Sequence, residues 1–219
     1  MFSTIFLLLF SACSGKNKQD GFLYNTSKSF FPTRLTDHIP EVYNSRSYFI
    51  TTIRGVAADT VMPDFAPHKF ILINKYSGED FKKEYEKISR QPLIRMSVND
   101  TNQILIGSSL CLKEYDVVQI GGYDEGVESI KVIERNMRNK DGIPLPIFEI
   151  EEFIDTTSTR LNKNFVLFIL DYHYGKVLKS GSCKKMETDI VPPKSHNGYS
   201  RGYAISIKDK TVIYWIVAW

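Results

Sequence analysis

The stretch GYAISIKDKTVIYWIVAW, residues 202–219, constrains the fold more than any other part of the chain. Side chains alternate between the two faces of a β-strand, so Ile213, Trp215, Val217 and Trp219 point one way and Val212, Tyr214, Ile216 and Ala218 the other. Both sets are apolar. A strand apolar on both sides needs a layer above it and a layer below, and it cannot stand as a free sheet edge, which would template aggregation. Lys208, Asp209 and Lys210 make a polar turn between the two runs, so the C-terminus reads as a β-hairpin packed within an antiparallel sheet. The run NFVLFIL, residues 164–170, is apolar on both alternating faces too and reads as a second strand at the centre of a covered sheet.

The remaining pattern agrees with a sheet of this kind. SYFITTIR (47–54) and KFILINK (69–75) are rich in β-branched and aromatic residues and are bounded by Gly55, Pro63 and Pro67, so they are predicted as neighbouring strands joined by a longer loop. Ser77 stands three residues before Asp80 in the arrangement of a capping box. Phe81, Tyr85 and Ile88 then recur at i, i+4 and i+7, which predicts a helix over 79–90 that Pro92 ends. Further strands are expected over 93–98, 103–106, 116–120 and 128–134, with turns at Asn99-Asp100 and Gly121-Gly122. Residues 147–154 fit a short helix and a strand equally. The fold class is therefore α+β, predominantly antiparallel β-sheet, with one clear helix and the C-terminal hairpin.

The opposite end of the chain bears on location. Residues 2–12 are mostly apolar, but a helix needs about 20 apolar residues to cross a bilayer core. The run is too short to span. It closes on Ser11-Ala12-Cys13, small residues that suit a processing enzyme, although an ordinary cleaved signal or a buried strand would also accommodate it. Residues 14–20 are polar without apolar periodicity, the composition of a tether. No Pro/Gly/Ser-rich or charge-rich break divides residues 21–219, so one domain is the simplest count.

Phe10-Ser11-Ala12-Cys13 resembles the lipobox of bacterial lipoproteins, with Phe10 where that family prefers Leu and with no Lys or Arg in residues 1–4. The resemblance implies that residues 1–12 are a signal peptide and that Cys13 carries acyl chains such as palmitate and begins the mature chain. Residues 13–20 would then tether a domain to a membrane of the bacterial cell envelope, and Ser14, in place of an aspartate, is compatible with the outer membrane. His196-Asn197-Gly198-Tyr199-Ser200-Arg201-Gly202-Tyr203-Ala204-Ile205-Ser206, followed by Ile213-Tyr214-Trp215, is similar to the ending of a group of small uncharacterised bacterial lipoproteins. That similarity implies no activity and carries over no catalytic residue.

The chain has 28 basic and 25 acidic residues, a net charge of +3, spread along its length. It has no clustered basic stripe of the kind nucleic-acid binding requires, and residues 179–185 read as a solvated loop. His38, His68, His173 and His196 show no HxH, HxxxH or HExxH spacing, so no metal site has local support. No cofactor is indicated: Gly121-Gly122-Tyr123-Asp124-Glu125-Gly126 has neither Walker nor Rossmann spacing. Neither Gly107-Ser108-Ser109 nor Ser180-Gly181-Ser182 has the pattern of a nucleophile elbow. Glu149-Ile150-Glu151-Glu152 reads as a solvated face, since local spacing cannot supply the carboxylate separation that glycoside hydrolysis needs.

Asp171-Tyr172-His173-Tyr174 is the most suggestive cluster, because it follows a buried strand and sheet enzymes often place acids and bases there. On a strand Asp171 and His173 share one face, and Tyr172 and Tyr174 the other. A strand end emerging into solvent before Gly175 accounts for the same residues without chemistry. With Cys13 assigned to lipid, Cys111 and Cys183 form an even pair in an oxidising compartment, joined as a disulfide or left as two thiols, with no CxxC redox motif. The leading functional reading is a lipid-anchored envelope module that binds a protein, peptide or carbohydrate, or serves a structural role. The second is an envelope hydrolase with a site gathered from distant loops near Asp171 and His173, with His196 as a further candidate.

Overall fold

A computed structural model describes residues 18–43, 46–51, 68–91, 93–98, 103–106, 142–148, 150–155, 157, 159–175, 177 and 197–218. Its centre is a six-stranded sheet built from β1 (Ser47–Thr51), β2 (His68–Lys75), β3 (Ile94–Ser97), β6 (Phe165–Tyr174), β7 (Gly198–Ser206) and β8 (Thr211–Ala218). The strand order is β1-β2-β8-β7-β6-β3, and every neighbouring pair is antiparallel. Strands β4 (Gln103–Ile106) and β5 (Ile143–Pro146) pair separately, in parallel. The α+β class, the dominance of antiparallel pairing and the C-terminal hairpin follow the sequence pattern. Expected strands over 116–120 and 128–134 lie outside the described residues, as do Trp219 and Pro92.

Strand β8 sits between β2 and β7, and all eight of its residues are buried. Its two faces supply two cores. Ile213, Trp215 and Val217 join Ile71, Ile73, Leu167 and Ile169 against Leu145, Phe148, Ile150 and Phe153, which we call the loop side. Val212, Tyr214, Ile216 and Ala218 join Phe70, Leu72, Phe168 and Tyr203 against helical residues, the helix side. Trp215 is fully buried with its ring edge-on to Phe148 at 6.2 Å. Burying a side chain of that size stabilises by roughly 1.5–3 kcal/mol in transfer alone, which is why an apolar terminal strand settles at the sheet's centre.

Three helices bear on the helix side. α3 (Gly78–Ser89) buries Phe81 and Ile88 and half-buries Tyr85, the spacing read from the sequence. Ser77 is its N-cap, but the capping-box bonds do not form: the Ser77 hydroxyl donates to Asp80 Oδ2 at 2.5 Å, a charge-assisted bond that takes the place of the cap. α1 (Lys18–Ser29) was not expected, and residues 18–20, read as the end of a polar tether, form its first turn. It faces the sheet through Tyr24, Ser27 and, just past its end, Phe31. A serine in the middle of that stripe hides the helical period. α2 (Thr33–Thr36) follows, with Leu35 buried. The ambiguous segment 147–154 resolves as a 3-10 turn, Glu151–Phe153, with Phe153 turned into the loop-side core.

Candidate functional site

Strand β6 does not stop at residue 170 as the sequence pattern suggested; it continues through Asp171-Tyr172-His173-Tyr174. Its pairing with β7 slips once: Ile169 is opposite Gly202 and Asp171 is opposite Arg201, leaving Leu170 unpaired in a β-bulge. The bulge inverts the alternation beyond it. Leu170 packs on the helix side, while Tyr172 and Tyr174 pack on the loop side, so Asp171 and His173 come to the helix side. The shared face expected from the sequence is therefore real, but they share it with β7 residues that the sequence reading did not single out.

On that face β7 presents Tyr199, Arg201 and Tyr203. The Tyr199 hydroxyl donates to Asp171 Oδ2 at 2.5 Å, and burial, reinforced by the Asp171 carboxylate, pushes the phenol up to about 12. The exposed His173 ring lies 6.3 Å from the Tyr199 ring, tilted by 37°. Arg201, only 12% exposed, reaches away from the strand pair: its Nη1 donates to the Arg34 carbonyl at 2.7 Å and to Asp37 Oδ1 at 2.5 Å. It thereby pins the segment after α2 to the sheet.

His38 completes the cluster. Its Nε2 lies 3.1 Å from the Trp215 carbonyl, which can only accept, so the ring proton belongs on Nε2 and Nδ1 is left as an acceptor without a hydrogen-bond partner. The ring meets Tyr203 edge-on at 5.4 Å. Burial first, then the Arg201 charge, push its pKa down to about 3. The ring is therefore neutral near pH 7, and the 4.0 Å approach of Asp37 to Nδ1 is not an ion pair.

A second polar centre lies where β2 ends and α3 begins, in an open cleft of about 460 Å³. Tyr214 on β8 donates to Glu84 Oε1 at 3.0 Å and contacts the Tyr76 hydroxyl at 2.6 Å. Because the single Tyr214 proton goes to Glu84, Tyr76 must donate to Tyr214, and Tyr76 in turn accepts from Asn74 Nδ2 at 3.2 Å. Burial raises both phenols' pKa values. Glu84 also accepts from Lys87 at 3.1 Å, and Lys75, on the cleft wall, is bound to Glu152 at 2.5 Å. These polar groups already satisfy one another.

The structure thus brings Asp171 and His173 to one face but gives Asp171 to Tyr199 rather than to His173. The Tyr199–Asp171 bond ties β7 to β6, and the Arg201 contacts tie β7 to α2 and the segment that follows it. Cys13, Cys111, Cys183 and His196 lie outside the described residues. Among the described residues no group of three His, Cys, Asp or Glu side chains could hold a metal ion, and no helix is long and apolar enough to cross a membrane. Arg201 and Tyr199 are polar residues that sequence reasoning missed, their signal being the alternation Tyr199, Arg201, Tyr203, which reveals one face but not its partners; His38 enters that reasoning only as a metal-ligand candidate. Comparison with protein-family models, with curated proteins and with solved structures gives no match.

Proposed function

We propose that the chain is a lipid-anchored protein of the bacterial cell envelope that binds a partner or serves a structural role rather than catalysing a reaction. One sequence observation carries the anchor: an apolar run of non-spanning length that ends in Ser11-Ala12-Cys13. Several acyl chains hold a protein stably on a bilayer, whereas one alone binds marginally. The engagement of Asp171 with Tyr199 weighs against the hydrolase alternative, because it makes the most suggestive acid of the sequence a structural acceptor. The hydrolase alternative would need Asp171 released from that bond.

Intact-mass measurement and acyl labelling of the protein from cells competent for lipoprotein processing test the anchor. The expected mass is that of residues 13–219 plus acyl groups, and Cys13→Ala abolishes the label. An unmodified chain that still begins at Met1 refutes the anchor.

A further inference from the structure

We propose that α1 and the segment after α2 lie against the bilayer surface, with Phe22 and Val42 seated among the lipid headgroups and upper acyl chains. The inference rests on the anchor reading and replaces the idea of a stand-off tether with a docked face. Phe22 is 69% exposed and Val42 75%, the two most exposed large apolar side chains among the described residues. Both belong to the N-terminal part of the fold, the part nearest Cys13 in sequence.

The two sit on one local unit. The Tyr24 hydroxyl donates to the Pro40 carbonyl, and Lys28 Nζ reaches the carbonyls of Ile39 and Pro40 at 3.0 and 3.2 Å, so the chain after α2 runs back along α1. The Tyr43 ring, tilted by 37°, lies 5.3 Å from the Tyr24 ring, so Tyr43 and its neighbour Val42 belong to the segment that runs beside the turn of α1 holding Phe22 and Tyr24.

Chain length supplies the occupant. Because α1 begins at Lys18, only five Cα steps separate it from Cys13, a reach of at most about 18 Å when fully extended. From Lys18 to Phe22 is about 6 Å along the helix. A Cys13 fixed at the bilayer therefore keeps Phe22 within about 24 Å of the anchor point, which is less than the thickness of one bilayer core. An exposed phenyl ring held that close to lipid has a favourable place at the headgroup–acyl boundary, where surface-bound helices seat Trp, Phe and Leu.

The test uses the acylated full-length mature protein carrying Phe22→Trp, a change at a position exposed enough to tolerate it. The protein is placed in phosphatidylcholine vesicles with or without brominated acyl chains, and its emission is read as the difference from the unsubstituted chain. The expected result is a blue shift of the added indole emission and its loss in brominated vesicles. An acylated, vesicle-bound chain whose added indole emits as in water overturns docking and leaves the anchor standing. An unacylated mass overturns the anchor, and docking with it. A chain that self-associates in detergent, is dissociated by Phe22→Asp and shields the indole from brominated lipid assigns the surface to a second copy and overturns docking.

Discussion

Replacing Gly202 by alanine should destabilise the fold sharply, and the structure sets the scale. Gly202 lies opposite Ile169 on β6 and Trp215 on β8, beside the unpaired Leu170. A Cβ at this position would stand 2.2 Å from the Phe168 carbonyl oxygen, 3.0 Å from Trp215 Cζ2 and 3.2 Å from Ile169 Cα. Ordinary contact begins near 3.4 Å, so the carbonyl would have to retreat by more than 1 Å. It belongs to the backbone of an inner strand and has no rotamer through which to escape. Overpacking of a core costs about 1–3 kcal/mol and loosening an adjacent ladder hydrogen bond adds about 1 kcal/mol; because the clash falls on backbone rather than on a movable side chain, we expect the upper half of that sum, about 3–4 kcal/mol. With a urea slope of about 2 kcal/mol per molar, the unfolding midpoint falls by about 1.5–2 M. Urea titration followed by far-UV circular dichroism measures it. Gly21→Ala is the control: its Cβ meets nothing within 4 Å and it lies within α1, so its midpoint should hold or rise. A Gly202→Ala protein with the wild-type midpoint and slope would refute the steric argument.

Three further outcomes are expected. Trp215→Ala should cost about 3–5 kcal/mol in the same titration, since it empties the loop-side core beneath Phe148; an unchanged midpoint would contradict it. Tyr214→Phe removes the donor to Glu84 and the acceptor for Tyr76 together, for a loss of about 1–2 kcal/mol; pairing it with Tyr76→Phe should give a clearly sub-additive sum, and strict additivity would dissolve the network. His38 titrates at about 6.5 in the unfolded chain but near 3 when folded, so the unfolded state binds the extra proton between those values. Stability present above pH 6.5 is therefore lost as pH falls, by at most about 1.4 kcal/mol per unit, and His38→Gln should flatten the midpoint-against-pH slope between pH 7 and 5; parallel slopes for the two proteins would contradict it.

Much of the sheet was legible because its strands carry their environment in their own composition. β8 from Val212 onward and the first half of β6 are apolar at every position, and only a strand enclosed on both faces can satisfy that pattern. α3 announced itself through Phe81, Tyr85 and Ile88, each of which meets the helix-side core. α1 did not, since its inward stripe runs Tyr24, Ser27, Phe31 and a buried serine reads as solvent-facing. Nor did the parallel pairing of β4 with β5, because two short strands carry no mark of the direction in which they will meet.

The polar cluster shows a different limit. That Asp171 and His173 share a face follows from the two-residue period of any strand and was legible. Which face they share depends on Leu170, whose exclusion from the ladder moves Asp171 from the side of Ile169 to the side of Tyr199. The close approach beside that bulge involves another strand: at Gly202 the backbone of β6 comes so near that a Cβ would stand 2.2 Å from the Phe168 carbonyl oxygen, and the Trp215 indole lies against the same point. A glycine inside a strand can be noticed in the sequence as the sign of a bulge or a close approach, but not paired with residue 170. The same remoteness governs Arg201, whose partners Arg34 and Asp37 come from the other end of the chain. Removing the guanidinium therefore separates two roles that proximity alone would merge. Arg201→Met should loosen the segment after α2, raising amide exchange at residues 35–39, while leaving the β6–β7 ladder protected, because the Tyr199–Asp171 bond does not pass through it. Exchange rising equally along β6 would mean that the cluster is one cooperative unit, with the N-terminal segment and the bulged strand pair held by the same contacts.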